Sequence, residues 1–250
     1  MGAIAAVNDP SRLEVVEVLF DLDGTLIDSI AAVELAWKQW AVVESVELSE
    51  TLSFHGRTAR DIVASLVPAD RVVQAVERLS EFEQHPQVPV VVRPGAAELL
   101  AALPAERWAI VTSAARPVAL ARLAAAGLAS PELLISGDDV TNGKPHPAPY
   151  TAGRRRSTTR GAAVAFEDTV AGLRSARAAG CITVGVLGTE PPEQLRDFAD
   201  AIVSSLADVA VTSVGESIVL TLTLATENRD NTTTEAAIVN FEEGQEPHDV

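Results

Sequence analysis

Asp21 and Asp23, in the run Asp21-Leu22-Asp23-Gly24-Thr25, are two carboxylates one residue apart at a glycine-marked turn. If the backbone turns there, both can reach one site. One could then attack phosphorus as a nucleophile while the other works as acid and base. The same spacing occurs in calcium loops, so the pair alone leaves a cation-binding turn open. Thr112 ends a predicted strand, where its hydroxyl can donate to a phosphate oxygen, although strands often end in Thr. Lys144, in Asn142-Gly143-Lys144-Pro145-His146-Pro147, is one of only two lysines beside 17 arginines. It offers a compact point charge against phosphate, with an ordinary solvated loop lysine as the alternative. Glu167 and Asp168 end another predicted strand. Adjacent acids there suit Mg²⁺, which takes carboxylates, water and phosphate oxygens, while helix capping by Asp168 is the structural alternative. The order of these groups says more than any one of them. An acidic pair, a hydroxyl, a lysine and a second acidic pair can converge on one phosphate and one cation.

The elements that must position these groups read as alternating strands and helices. Residues 15–20 form an apolar strand run that leads into Asp21. Residues 29–44 read as a helix with Ser29 as N-cap, and the pattern stays helical to about 92, where Pro86, Pro89 and Pro94 mark a loop. A helix over 95–103, a strand over 107–112 and a helix over 116–126 closed by Gly127 follow. Next come a strand over 132–135, a helix over 147–156, a strand over 162–167 and a helix over 169–179 closed by Gly180. A strand over 182–187, a short helix near 191–199 and a strand near 201–203 complete the pattern. This alternation predicts an α/β fold with a parallel sheet, and the block 29–92 reads as a helical domain inserted after the first strand. In open parallel sheets, ligands bind beyond the carboxyl ends of the strands, where all the singled-out residues fall. Residues 217–226 alternate like a strand and are expected to add an edge strand or a hairpin. From about 224 the chain turns polar and acidic, and that tail is expected to be disordered.

Composition narrows the function. The 250 residues carry 19 basic and 35 acidic side chains, a formal charge of −16 that repels polyanions. A nucleic-acid partner is therefore not expected, and phosphate would have to be handled locally, with a divalent cation. Cys181 is the one cysteine, which rules out an internal disulfide and fits a reducing compartment. The N-terminus lacks a basic region and a long apolar stretch, and no apolar run is long enough to span a membrane. The sequence reads as a soluble, cytoplasmic protein and as a monomer.

FDLDGTLIDS, IVTSA, NGKPHPAPY and FEDTVAGLRSARAAG resemble, in order, the four motifs of the haloacid dehalogenase (HAD)-like hydrolases. The resemblance runs from residue 16 to about 210. It is closest to the small-cap sugar and polyol phosphatases, such as those acting on glycerol phosphate and 2-deoxyglucose 6-phosphate, through AWKQW, FHGRTARDI and GKPHPAPY. It implies a Rossmann-like parallel-sheet core (residues 1–28 and 93–215) and an inserted helical cap that selects substrate (29–92), and it leaves 216–250 as a C-terminal extension without a counterpart. By the same resemblance Asp21 is the nucleophile that forms an aspartyl-phosphate, and Asp23 is the general acid and base. Thr112, Ser113 and Lys144 hold the phosphoryl group. Mg²⁺ is held by the Asp21 carboxylate, the Asp23 backbone carbonyl and Asp168, with Glu167 nearby. His55 and Arg57 fall in the family's cap loop and are expected to touch a small phosphorylated sugar or polyol.

The other residues weighed have plainer readings. Trp37 and Trp40 are expected to fill the cap core, and Lys38 to lie on the opposite, exposed face. Arg60, Arg71, Arg78 and the run Arg154-Arg155-Arg156 read as solvated faces. Arg116 is placed near the phosphate entrance, and Cys181 in the core. Two rival functions remain at this level: a phosphosugar mutase of the β-phosphoglucomutase type, and a non-catalytic protein that binds a phospho-ligand.

Overall fold

A computed structural model describes residues 9–49, 58–154 and 161–225. The apolar run expected as one strand over 15–20 is two. β1 (Arg12–Val15) and β2 (Glu17–Phe20) are separated at Val16 and enter different sheets. Arg107 sits at the break. Its Nε donates to the Val16 carbonyl at 2.6 Å, and an Nη reaches the Glu216 carbonyl at 3.0 Å. After the two-residue β3 (Ile27–Asp28) come α1 (Ile30–Glu44), α2 (Ala59–Leu66) and α3 (Val72–Gln84), then β4 (Val91–Val92). β3 and β4 pair antiparallel, so the helical block leaves and returns through one short ribbon. The chain continues as α4 (Ala96–Ala102), β5 (Trp108–Val111), α5 (Arg116–Ala126), β6 (Leu134–Ile135) and α6 (Ala148–Gly153). It ends with β7 (Ala163–Glu167), α7 (Val170–Ala178), β8 (Ile182–Val186), α8 (Pro192–Leu195), β9 (Ala201–Val203), β10 (Val209–Val214) and β11 (Ile218–Leu222).

Six strands form a parallel sheet in the order β6-β5-β2-β7-β8-β9. β2, β7 and β8 are buried along their whole length, as expected of central strands covered on both faces by helices. The chain winds outward from β2 through β5 to β6, then crosses back to β7 on the other side of β2. That reversal opens a crevice at the carboxyl end of β2, the position where such sheets bind ligands. Asp21 follows β2 directly, Thr112 follows β5, and Glu167 ends β7.

The helical block has its own apolar cluster, built on Trp37, Trp40, Ile62, Val63 and Leu79. Trp37 and Trp40 meet edge-to-face at 5.3 Å, and the buried Trp40 ring nitrogen donates to the Ala75 carbonyl at 2.8 Å. Both indoles thus fill the interior of the block, as expected. Lys38 is exposed and pairs with Glu34 one turn earlier. Arg71 and Arg78 are not simply solvated: both pair with the carboxylate of Glu44, which is buried. Arg154 is likewise engaged, donating to the Ala179 carbonyl at 2.6 Å, while Arg155 and Arg156 lie outside the described residues.

The stretch 217–226 contributes β11, which forms a hairpin with β10, one of the two expected outcomes. β11 is the middle strand of an antiparallel sheet, β1-β11-β10, so the anticipated core boundary at 215 falls inside a β-hairpin. Ile218, Leu220 and Leu222 point into the main core with Leu13 and Val15 of β1. The acidic tail lies outside the described residues. Among the described residues, no helix is long and apolar enough to cross a membrane.

Cys181 is buried in the core, and burial pushes its thiol up to about 12. The native protein is therefore expected to resist a thiol reagent at pH 8 and to react fully once unfolded. A colorimetric thiol titration with and without denaturant checks this.

Candidate active site

The loop after β2 is shaped by its own backbone. The amides of Leu26 and Ile27 both donate to the Leu22 carbonyl, and Gly24 N–H donates to the Ile27 carbonyl at 2.8 Å. Leu22 and Leu26 are fully buried and pin the turn from below. The Asp21 amide donates to the Phe166 carbonyl at 3.0 Å, which ties the loop to the end of β7. Gly24 has a φ of +90°, in the region that favours glycine. A Cβ there would fall 1.9 Å from Asp168 Oδ2. Gly24→Ala is thus both strained and in collision with the acidic pocket. It is expected to lower activity by about 10²-fold or more, because a misplacement of about 1 Å is costly at a reacting centre. Measured kcat, beside a melting curve, separates loss of function from loss of fold.

Asp21 and Asp23 end up in two different environments. Lys144 Nζ lies 2.5 Å from Asp21 Oδ1 and 2.6 Å from Glu167 Oε1, with its own side chain almost fully buried. Glu167 is held by Tyr150, whose hydroxyl donates at 2.7 Å, and by the Thr169 hydroxyl at 3.2 Å. Thr169, not Asp168, caps α7: its hydroxyl accepts from the Gly172 amide. Asp168 is thereby released from the capping alternative. Its Oδ1 accepts from Thr25 at 3.3 Å, and its Oδ2 is buried beside the Thr189 hydroxyl without a well-formed hydrogen bond among the described residues. Asp21, Glu167 and Asp168 each offer an oxygen within 4.8 Å of the others. Three carboxylates thus cluster in a buried space, two of them paired with one lysine. Burial, then the neighbouring charge of Glu167, lifts Asp168 to about 7. Burial also pushes Asp21 well above the usual carboxylate range; Glu167, Asp168 and Asp23 add to the rise, and Lys144 opposes it. Lys144 is raised as well. Burial alone would lower it, but Asp21 and Glu167 outweigh burial and keep it charged.

An all-oxygen donor set with one unsatisfied buried carboxylate oxygen fits a hard divalent cation. The donors divide unequally. Both Glu167 oxygens already hold protein partners, so Glu167 serves first to anchor Lys144, while Asp168 Oδ2 is open.

Asp23 sits on a separate network. Ser29 Oγ donates to Asp23 Oδ1 at 2.6 Å, and Thr112 Oγ1 lies 3.5 Å from Oδ2. An Nη of Arg122 reaches Oδ1 at 2.9 Å. Ser29 therefore flanks α1 without capping it by its side chain, because its hydroxyl is committed to Asp23. Thr112 also accepts the Ala114 amide at 3.1 Å. Ser113 lines a cleft of about 460 Å³ between the helical block and the sheet, together with Thr58, Arg60, Asp61, Asp138 and Thr141. His55 and Arg57 lie outside the described residues. Thr58, next in the chain, caps α2 by accepting from the Asp61 amide and stands against Gly143, beside Lys144. Arg116 does not serve a phosphate entrance: its guanidinium is taken by the Leu134 carbonyl and Asp139.

Four contributors were not singled out from the sequence as site residues: Thr25, Ser29, Tyr150 and Arg122. Tyr150 lies within the GKPHPAPY motif, and Ser29 ends the first motif. Arg122 carried a quieter signal. It falls in register with Val118, Ala119 and Leu123 on the buried side of α5, a lone charge in an apolar stripe.

The sequence pattern described as haloacid dehalogenase-like hydrolase matches residues 18–186, from β2 to the end of β8. The chain belongs to this family. It is similar to hexitol phosphatase A of Escherichia coli (strain K12), with 38% identity over 205 residues that cover 78% of this chain and 93% of that protein. It is also similar to glycerol-1-phosphate phosphohydrolase 2 of Saccharomyces cerevisiae, with 32% identity over 199 residues covering 72% of this chain and 78% of the relative. Among solved structures, a hydrolase from Pseudomonas syringae superposes with a TM-score of 0.64 at 26% identity, covering 77% of this chain and 94% of that one. The HAD-like, Rossmann-type parallel core expected from the motifs agrees with these matches.

Proposed function

We propose that this HAD-like hydrolase is a Mg²⁺-dependent phosphatase of small phosphorylated sugars or polyols, working through a phosphoryl group on Asp21. One observation carries the reading. The two aspartates of a single loop are separated into a charged cluster around Lys144 (Asp21) and a hydroxyl and guanidinium network (Asp23). Two carboxyls held in different surroundings are suited to different roles. The substrate class is supported by the relatives, which are named as phosphatases of hexitols and of glycerol 1-phosphate.

In this reading an Asp21 carboxylate oxygen attacks phosphorus, and the bond from phosphorus to the substrate oxygen breaks. Asp23 gives its proton to the departing alkoxide. Asp23 then takes a proton from water, the resulting hydroxide attacks phosphorus, and the bond to Asp21 breaks, releasing inorganic phosphate. Lys144 offsets the charge of the phosphoryl oxygens, with Glu167 and Tyr150 fixing its position. Thr112 and Ser113, which follow β5, would donate to those oxygens. Asp21, the Asp23 backbone carbonyl and Asp168 would hold Mg²⁺, with Glu167 nearby; the cation would neutralise crowded negative charge and polarise the phosphoryl group. The helical block would act as the cap, presenting Thr58, Arg60 and Asp61 to the substrate across the cleft from Ser113. His55 and Arg57 precede Thr58 and are proposed to join this substrate-facing stretch.

The test is phosphate release from a panel of hexitol, glycerol and sugar phosphates, with and without Mg²⁺, run beside Asp21→Asn. Release that needs both Mg²⁺ and Asp21 supports the reading, and the ranking of esters names the substrate. A folded protein that turns over none of them would instead favour a mutase or a binding protein.

A further inference from the structure

Arg122 is the one strongly buried arginine among the described residues, and its site is unusual for a charge. It lies on α5, a helix made otherwise of apolar residues, Pro117 and Arg116, with its side chain only 5% exposed. A guanidinium in such a place is costly unless both ends of its fork are paired. Here they are. One Nη reaches Asp23 Oδ1 at 2.9 Å, and the other reaches Glu83 Oε1 at 2.8 Å. Glu83 is the penultimate residue of α3, in the helical block, and its own side chain is nearly buried. The three groups therefore span three parts of the molecule: the catalytic loop, a core helix and the helical block. The guanidinium is planar and its donors are fixed relative to one another, so moving one carboxylate displaces the hold on the other. Burial alone would make the guanidinium easier to deprotonate, but Asp23 and Glu83 outweigh it and hold the proton more firmly than in a free arginine. Ser29, at the root of the helical block, donates to the same Oδ1 of Asp23. Beside the Thr112 hydroxyl on Oδ2, the orientation of Asp23 is thus set by two contacts on Oδ1 that both depend on where the block sits.

We propose that Arg122 is a positioning residue for Asp23, and that Glu83 makes this positioning depend on the placement of the helical block over the core. The proposal rests on the phosphatase reading, in which Asp23 protonates the leaving oxygen. It predicts a selective defect. An alkoxide leaving group needs that proton, whereas p-nitrophenolate departs without it. Arg122→Met is expected to lower kcat/KM for glycerol 1-phosphate, or for the best hexitol phosphate of the panel, by about 10²-fold. The same change should lower kcat/KM for p-nitrophenyl phosphate by no more than a few-fold. kcat/KM is the informative quantity because it reports the first phosphoryl transfer and not the later hydrolysis, in which Asp23 also acts.

Arg122→Lys, which keeps the charge but not the fork, should fall between Arg122→Met and the wild type. Glu83→Ala should show the same alkyl-selective loss at smaller size. In the Arg122→Met background, adding Glu83→Ala should cost little more, because the two residues act as one unit. Arg122→Met leaves two carboxylates facing each other, so Arg122→Met with Glu83→Gln is the companion variant if the single change fails to fold. Melting curves accompany each variant. Equal losses on the alkyl and aryl esters would reduce Arg122 to a structural role and overturn the proposal, as would additive effects of the two sites. A wild type with no Mg²⁺-dependent turnover of either ester would overturn the phosphatase reading, and this proposal with it.

Discussion

Asp21→Asn is expected to reduce turnover of every substrate by about 10⁴-fold or more, with the protein still folded. The amide has nearly the shape of the carboxylate but is a poor nucleophile, so the step that forms the phosphoenzyme fails. Stability should not fall with it. Lys144 keeps Glu167 as a partner at 2.6 Å, and the buried cluster loses one of three mutually repelling acids. The metal-free variant is therefore expected to melt at or above the wild-type temperature. This combination, with chemistry lost and stability kept or raised, separates a nucleophile from a structural aspartate, whose removal would lower both. A kinetic assay and a melting curve on one preparation decide it.

Removing the divalent cation is expected to silence the enzyme, and Asp168→Asn to raise the Mg²⁺ concentration needed for half-maximal activity by about 10²-fold. Asp168 contributes the open, buried oxygen of the cluster, and the amide retains the bond from Thr25 while losing the charge. The pH dependence follows from the raised carboxyl. Asp168 in the metal-free protein titrates at about 7, so protons compete with Mg²⁺ below that pH. The half-saturating Mg²⁺ concentration should accordingly rise as the pH falls from 8 to 6. Stability runs the opposite way in the absence of metal. The native state binds the Asp168 proton more tightly than the unfolded chain, so this group's contribution is present below about pH 4 and is lost as the pH rises through about 7. Mg²⁺ should therefore stabilise the fold more at pH 8 than at pH 6, which thermal melting at the two pH values will show.

The legible parts of this chain were those whose signal is local. Helix α5 announced itself by its alanine-rich run and by Gly127, which adopts a φ of 73° at the C-cap. Asp21, Lys144 and Asp168 stood out because turn residues and strand ends flank them, and the parallel sheet then brought them together. What was missed depends on distant partners. The break at Val16 is not marked in the run VVEVLF, because it is set by Arg107 and by the pairing of β1 with β11, some two hundred residues later. β11 showed its alternation, but alternation does not say which strands flank it. Ser29 looked like an N-cap because of its position, and its hydroxyl was drawn away by Asp23. Arg71, Arg78 and Arg116 carry no mark in the sequence that sets them apart, and the apolar stripe around Arg122 names no partner. Only packing reveals that Arg116 braces Asp139, that Arg71 and Arg78 hold Glu44, and that Arg122 bridges two acids.

The central claim is that phosphate passes through Asp21. It is tested most directly by acid-quenching the enzyme during turnover of its best substrate, reducing any acyl phosphate with borohydride and mapping the product by peptide mass spectrometry. The account predicts homoserine at position 21 in the wild type with Mg²⁺, and none without substrate or in Asp21→Asn. Phosphate released at the full rate with no modified residue, or a phosphoryl group trapped at another position, would contradict it.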